Sequence, residues 1–254
     1  MNVNETKDAQ CVVRLEDVSK IFGSNENKTT AVQQVSLHAY SGELLLLLGP
    51  SGSGKTTLLT LIAGLLKPTS GTISLFGRPI ESYSPRELQQ IRASRMGFIF
   101  QTFLLIDSLT ALENVGVVLR FNGNIKREAR LYASQLLEKF GIGHLAQKFP
   151  PTLSQGEKQR VAVARAVANN AQLILADEPT GSLESKQGFD IIQLLRTYSK
   201  EQNRCVIVAS HDLRIVEFAD RIIKLEDGMI QQNSKGSRLN IYHFSEREAR
   251  SLGQ

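Results

Sequence analysis

The residues Gly49-Pro50-Ser51-Gly52-Ser53-Gly54-Lys55-Thr56 have the types and spacing to hold phosphate. They fit G-x-x-x-x-G-K-[ST], in which glycines let the backbone close around an anion and N–H groups face it. The positive end of a following helix adds to the attraction. Lys55 would reach the β- and γ-phosphates, and the Thr56 hydroxyl would ligate Mg²⁺. Thr57 continues the phosphate-facing turn. A second group with chemistry is Asp177-Glu178, at the end of the apolar run Leu173-Ile174-Leu175-Ala176. Asp177 is suited to hold Mg²⁺, directly or through water, and Glu178 to orient and deprotonate an attacking water. A third is Ser154-Gln155-Gly156-Glu157. Ser154 and Glu157 have capping-box spacing, and a helix start with a serine and a glycine can face an anion. Two phosphate-facing helix starts in one chain suggest a site split between two copies, each completing the other's.

The elements around these groups follow from periodicity. Glu43–Leu48 reads as a fully buried strand entering the phosphate loop, and 56–63 as the helix leaving it. Strands are expected at 12–22, 31–38, 72–76, 97–100, 172–177 and 205–210, with an exposed turn at 24–28. Ser84-Pro85-Arg86-Glu87 and Thr110-Ala111-Leu112-Glu113 are further capping boxes. Leu131, Leu136, Leu137 and Phe140 predict an amphipathic helix over 126–140, ended by Gly141. The stretch of about 103–165 is mostly helical and interrupts an α/β pattern. Residues 1–11 and 233–254 are polar, with a short solvated helix expected near 245–250.

Bulk properties narrow the classes. The chain has 254 residues, 41% of them hydrophobic, enough for a substantial core. The net charge of +5 is mild and does not single out nucleic acid. The two cysteines, Cys11 and Cys205, lack metal-ligand spacing and fit a reducing compartment. No segment approaches the roughly 18 consecutive apolar residues of a spanning helix, and the polar N-terminus lacks the apolar core of a signal peptide. The expected setting is soluble and cytoplasmic, unless a partner holds the chain at a membrane.

Taken in order, Gly49–Thr56, Gln101, Leu153–Glu157, Asp177-Glu178 and His211 resemble the ATPase subunits of ABC transporters. The resemblance covers roughly residues 12–232. It implies an α/β fold: a P-loop, RecA-like core with an antiparallel β subdomain and an inserted helical subdomain. It also implies ATP and Mg²⁺ as ligands and a head-to-tail dimer, most simply a homodimer, that sandwiches two ATP molecules. A separate integral-membrane permease would anchor the protein peripherally at the cytoplasmic face of the inner membrane, and no nucleic-acid partner is expected. Carried over by residue, Phe22 resembles the aromatic that stacks on adenine. Gln101 resembles the glutamine that senses Mg²⁺ and water. Ser154 and Gly156, with Glu157, resemble the signature that meets the opposite subunit's γ-phosphate, and His211 the histidine that contacts the γ-phosphate. Two positions depart from the pattern: Gln155 stands where glycine is common, and Glu184 where aspartate is usual. Gly181, in Asp177-Glu178-Pro179-Thr180-Gly181, resembles the group serving lipoprotein release, macrolide export and FtsE-type complexes. Nutrient importers more often have serine there.

Rival classes explain less. Soluble ABC ATPases of DNA repair or translation carry coiled-coil or zinc-bearing insertions or tandem ATPase domains, whereas this chain has one motif set. A P-loop kinase would not account for the Ser154 helix start together with Gln101 and His211. A non-catalytic regulatory module would not need Lys55, Asp177 and Glu178 together.

Overall fold

The computed structural model describes residues 10–23 and 27–235. In chain order the strands are β1 (Cys11–Phe22), β2 (Thr29–Tyr40), β3 (Leu44–Leu48), β4 (Ser70–Leu75), β5 (Arg78–Pro79), β6 (Met96–Ile99), β7 (Leu173–Asp177), β8 (Cys205–Ser210), β9 (Arg221–Glu226) and β10 (Met229–Lys235). The α-helices are α1 (Lys55–Ile62), α2 (Pro85–Arg95), α3 (Ala111–Phe121), α4 (Lys126–Lys139), α5 (Gln155–Val167) and α6 (Ser185–Glu201).

The five leucines of β3 are all buried. Side chains alternate across a strand, so a strand of this kind needs cover on both faces. Leu44, Leu46 and Leu48 enter a core shared with α3, α4, α5 and α6. Leu45 and Leu47 enter a second core shared with α1 and the β1–β2–β4 sheet. The same division splits Val206 and Val208 from Cys205, Ile207 and Ala209 on β8. The central sheet is thus the middle layer of the molecule.

That sheet runs β10-β9-β3-β8-β7-β6. Five of its strands pair in parallel, and β10 closes one edge antiparallel to β9. The separate four-stranded sheet, β2-β1-β4-β5, is antiparallel. The expected combination of a parallel α/β core, an antiparallel sheet and a helical layer is the one observed.

Three expectations change. Leu131 is 62% exposed and leaves the apolar face of α4. That face is instead Ala129, Ala133, Leu136 and Leu137. The small residues form a close seam with α3, where a Cβ on Gly116 would lie 4.0 Å from Ala133 Cβ. Second, the edge strand β10 continues to Lys235, past the polar boundary expected at 232, because β9 supplies it with ladder partners. Third, the strand expected over 31–38 extends from Thr29 to Tyr40 along β1. The expected N-terminal segment up to residue 9, turn residues 24–26 and the helix near 245–250 lie outside the described residues.

Candidate nucleotide-binding site

In open parallel sheets, ligands bind beyond the carboxyl ends of the strands. Four neighbouring strands, β3, β8, β7 and β6, here deliver the sequence candidates at that edge. β3 feeds the loop of Gly49–Gly54 and then Lys55 and Thr56. β8 ends at Ser210, before His211; β7 ends at Asp177, before Glu178; β6 leads through Phe100 to Gln101. Backbone bonds join the strand ends: Gly49 N–H donates to Ser210 O (3.2 Å) and Glu178 N–H to Ala209 O (2.9 Å). Residues scattered from 49 to 211 therefore share one edge because of strand order, which periodicity does not encode.

The phosphate loop is held from outside. Gly54 has φ +98, and a Cβ there would sit 2.2 Å from Ala31 O on β2. A Cβ on Gly49 would sit 2.1 Å from Leu225 O on β9. Any side chain at either position would push the loop off its supports. Gly228, in the β9–β10 turn, donates its N–H to Ser53 O (3.1 Å). By contrast, a Cβ on Gly52 would meet nothing within 4 Å, so the loop is open on that side. Ser51 is exposed on this side, and Ser53 Oγ is buried without a hydrogen-bond partner.

Lys55 is 5% exposed. Its ammonium folds onto its own loop, donating to Gly49 O (2.7 Å) and Pro50 O (2.8 Å). It lies 3.7 Å from Glu178 Oε1. Burial pushes the Lys55 pKa down, while the Glu178 and Asp177 carboxylates pull against that shift. Thr56 Oγ1 donates to Asp177 Oδ2 at 2.8 Å. The other Asp177 oxygen, Oδ1, is buried and has no hydrogen-bond partner. Burial is also the main reason the Asp177 pKa is raised, with the Thr56 bond opposing it. A buried carboxylate oxygen without a donor is costly and suits a cation.

Glu178 meets Lys55, Ser210 and His211. His211 Nδ1 lies 3.0 Å from its Oε1, and Ser210 Oγ donates to Oε2 at 3.3 Å. Glu178 also has φ +47, an uncommon backbone for a non-glycine residue. Such conformations persist where the surroundings over-determine them. Gln101 approaches the same turn: its Nε2 lies 3.3 Å from where a Cβ on Gly181 would be. A serine at 181 would press on Gln101, so Gly181 packs against a site candidate.

Phe22 ends β1 and is 41% exposed, with Lys20 Nζ 5.2 Å from its ring centroid. Its ring is open to a flat ligand on the β1–β2 hairpin that supports Gly54. Thr57 lies in the first turn of α1.

The signature residues stand apart. Ser154 caps α5: its hydroxyl accepts from Glu157 N–H (3.4 Å), and Glu157 accepts from Ser154 N–H (2.7 Å). That bond holds the Glu157 pKa down. Gly156 is covered by the Gln187 side chain of α6. Among the bonds of the described residues, none joins Ser154, Gly156 or Glu157 to the phosphate loop. Sequence reasoning missed the supports at Ala31, Leu225 and Gly228 and the contact from Ser210. Each is a backbone or short-polar contact with no motif of its own.

No helix among the described residues is long and apolar enough to cross a membrane. The family described as "ABC transporter" matches residues 32–181. An uncharacterised ABC transporter ATP-binding protein of Methanocaldococcus jannaschii is 42% identical over 219 residues, covering 86% of this chain and 97% of its own length. The lipoprotein-releasing system ATP-binding protein LolD of Shewanella frigidimarina is 39% identical over 222 residues, 87% and 93% of the two chains. Among solved structures, a dimeric ATP-binding cassette in a post-hydrolysis state with ADP and Pi superposes with a TM-score of 0.82 at 40% identity. It covers 88% of this chain and 98% of its own. The chain therefore belongs to the ABC transporter family, as one of its ATP-binding, ATP-hydrolysing subunits.

Proposed function

We propose that this subunit powers a transporter of the lipoprotein-release and macrolide-export type, as a head-to-tail homodimer on a separate permease. The observation that carries the reading is the convergence of Lys55, Thr56, Asp177, Glu178, His211 and Gln101 at four adjacent strand ends. The likeness to LolD and Gly181 against Gln101 support the subgroup.

ATP would lie with its adenine on Phe22 and its phosphates in the loop of Gly49, Pro50, Ser51, Gly52, Ser53 and Gly54, continuing to Thr57. Lys55 would exchange its bonds to Gly49 O and Pro50 O for phosphate oxygens, which are better partners for a desolvated ammonium. Thr56, Asp177 and Gln101 fit Mg²⁺, and the unpartnered Asp177 Oδ1 is the observation that supports this. Mg²⁺ would neutralise charge on the phosphates. Glu178 would accept the proton of the attacking water, with His211 and Ser210 fixing its two oxygens. The products are ADP and phosphate, with the water proton leaving through Glu178.

Ser154 and Gly156 would complete the partner's site rather than their own. ATP would then favour the closed dimer because it contacts both subunits only there. Hydrolysis would remove that bridge. The superposition on a dimeric cassette supports this arrangement. The protein would sit peripherally on the cytoplasmic face of the inner membrane.

The test is a pull-down of tagged Glu178→Gln from native membranes with Mg-ATP. Recovery of a polytopic permease with a large extracytoplasmic domain is expected. Recovery of soluble partners alone would overturn the transporter assignment.

A further inference from the structure

Arg165, near the end of α5, is a charged group that the catalytic reading does not use. It is partly buried, and burial pushes its pKa down. No carboxylate lies within ion-pair distance of it among the described residues. Its guanidinium is instead spent on two backbone carbonyls: one arm donates to Leu104 O (2.5 Å) and the other to Phe103 O (2.7 Å).

Those two carbonyls belong to an unusual backbone. Phe103 has φ +61 and Leu104 φ +46, consecutive left-handed residues with no glycine between them. Side-chain-bearing L-residues visit this region singly and at a cost. Something outside the turn must hold it. Within the turn, Phe103 N–H donates to Phe100 O (3.0 Å) and Leu104 N–H to Thr102 O (2.7 Å). Gln101 sits inside that turn, between β6 and the clamped residues. A planar fork with two parallel N–H donors matches two successive carbonyls in a way that an ammonium cannot.

We propose that Arg165 is a positioning residue for Gln101. The fork holds the 100–104 turn in the geometry that aims Gln101 at the Glu178–Gly181 turn. It also fastens that turn to the helix whose other end carries Ser154. The glutamine of one site and the capped helix start then move as one body. This deepens the function proposed above and rests on Gln101 serving the nucleotide.

The test is steady-state ATP hydrolysis by the purified full chain, with Gln101→Ala, Arg165→Lys and the double variant, each checked for a cooperative melt. Gln101→Ala is expected to lower kcat roughly tenfold or more. Arg165→Lys keeps the charge but loses the fork. It is expected to lower kcat to a similar value with KM for ATP unchanged. The double variant should match Gln101→Ala within about twofold, since a residue acting through Gln101 adds nothing once Gln101 is gone. Leu104→Pro attacks the same turn from the opposite side. Leu104 is 55% exposed, and proline cannot adopt its positive φ. It leaves α5 intact and covers the case in which Arg165→Lys does not fold, and it too should be non-additive with Gln101→Ala. If the singles multiply in the double variant, or if Arg165→Lys keeps wild-type kcat, Arg165 is merely structural and the role of Gln101 stands. If Gln101→Ala keeps wild-type kcat, both the proposal and that role fall.

Discussion

The starts of α1 and α5 satisfy their backbone N–H groups in opposite ways. α1 begins at Gly54, with no side-chain cap and no acidic residue in its first turn. α5 begins at Ser154, with a reciprocal capping box and Glu157 in its first turn. One helix start leaves its donors for an anion that arrives, while the other carries its own anion. On the proposed reading, α1 would therefore take phosphate within a single chain. At α5 the Glu157 carboxylate already occupies the Ser154 N–H. A phosphate there would meet the hydroxyl hydrogen of the exposed Ser154. The cap is not itself the signal, because Ser84 on α2 and Thr110 on α3 make the same box.

The sharpest break in this contrast is at Lys55. Its ammonium is buried beside two carboxylates and should be the main cation for an incoming phosphate. Lys55→Ala should weaken ATP binding by roughly 10²-fold or more, the 2–5 kcal/mol scale of truncating a buried hydrogen-bonded charge. Titration calorimetry with ATP measures it, and an unchanged affinity would remove α1 from the nucleotide site.

Glu178 acts at the same edge but on the chemical step. Glu178→Gln keeps the size and one acceptor oxygen while removing the base. Turnover should fall by about 10²–10⁴-fold, the usual range for a positioned base. ATP binding should survive, and a dimer should accumulate with Mg-ATP on size-exclusion chromatography with light scattering. Unchanged turnover would sink the assignment.

A paired test sharpens the α5 side. Ser154→Ala and Thr110→Ala each remove the same kind of cap, worth about 1 kcal/mol. Each should lower Tm by roughly 2–4 °C for a chain of this size. Only Ser154→Ala should also lower turnover and ATP-driven dimerisation, with ATP binding by the monomer intact. Equal turnover in the two variants would make Ser154 a cap and nothing more.

The same contrast shows how far the sequence could be read. The phosphate loop, both carboxylates and all three capping boxes were legible, because each is a local pattern whose physics acts within a few residues. The all-buried β3 was legible as well, since five leucines in a row need cover on two faces. Strand order was not, although it alone brings the end of β8, before His211, between the ends of β3 and β7. The supports at Ala31, Leu225 and Gly228 are backbone contacts and leave no side-chain signature. Arg165 reaches across 61 residues to carbonyls, so no spacing announces it. Leu131 misled because it was grouped with Leu136, Leu137 and Phe140 by apolarity, whereas helical spacing puts it off the face that buries Ala129, Ala133, Leu136 and Leu137.

The smallest effect tests the energetic cost of keeping α1's site ready. Asp177 has a folded pKa raised chiefly by burial, so between its unfolded and folded pKa values the folded chain binds more protons. Stability then falls as pH rises through that window and stays at its lower level up to neutral pH. Lys55, with its pKa lowered by burial, carries a like penalty while charged: its folded pKa lies below the unfolded one, so stability rises as pH rises between them. Asp177→Asn keeps an oxygen for the Thr56 hydroxyl and removes the buried charge. The ligand-free variant should gain about 0.5–2 kcal/mol, in the range of other stabilising changes at functional sites. Calorimetric melts of both proteins from pH 4 to 8 should diverge as pH rises, with the variant melting higher at pH 7. Addition of Mg-ATP should reverse the order, because only the native carboxylate gains a cation. If the variant melts lower than wild type without ligand at neutral pH, Asp177 is held by contacts that outweigh its desolvation, and the site is not strained in the resting chain.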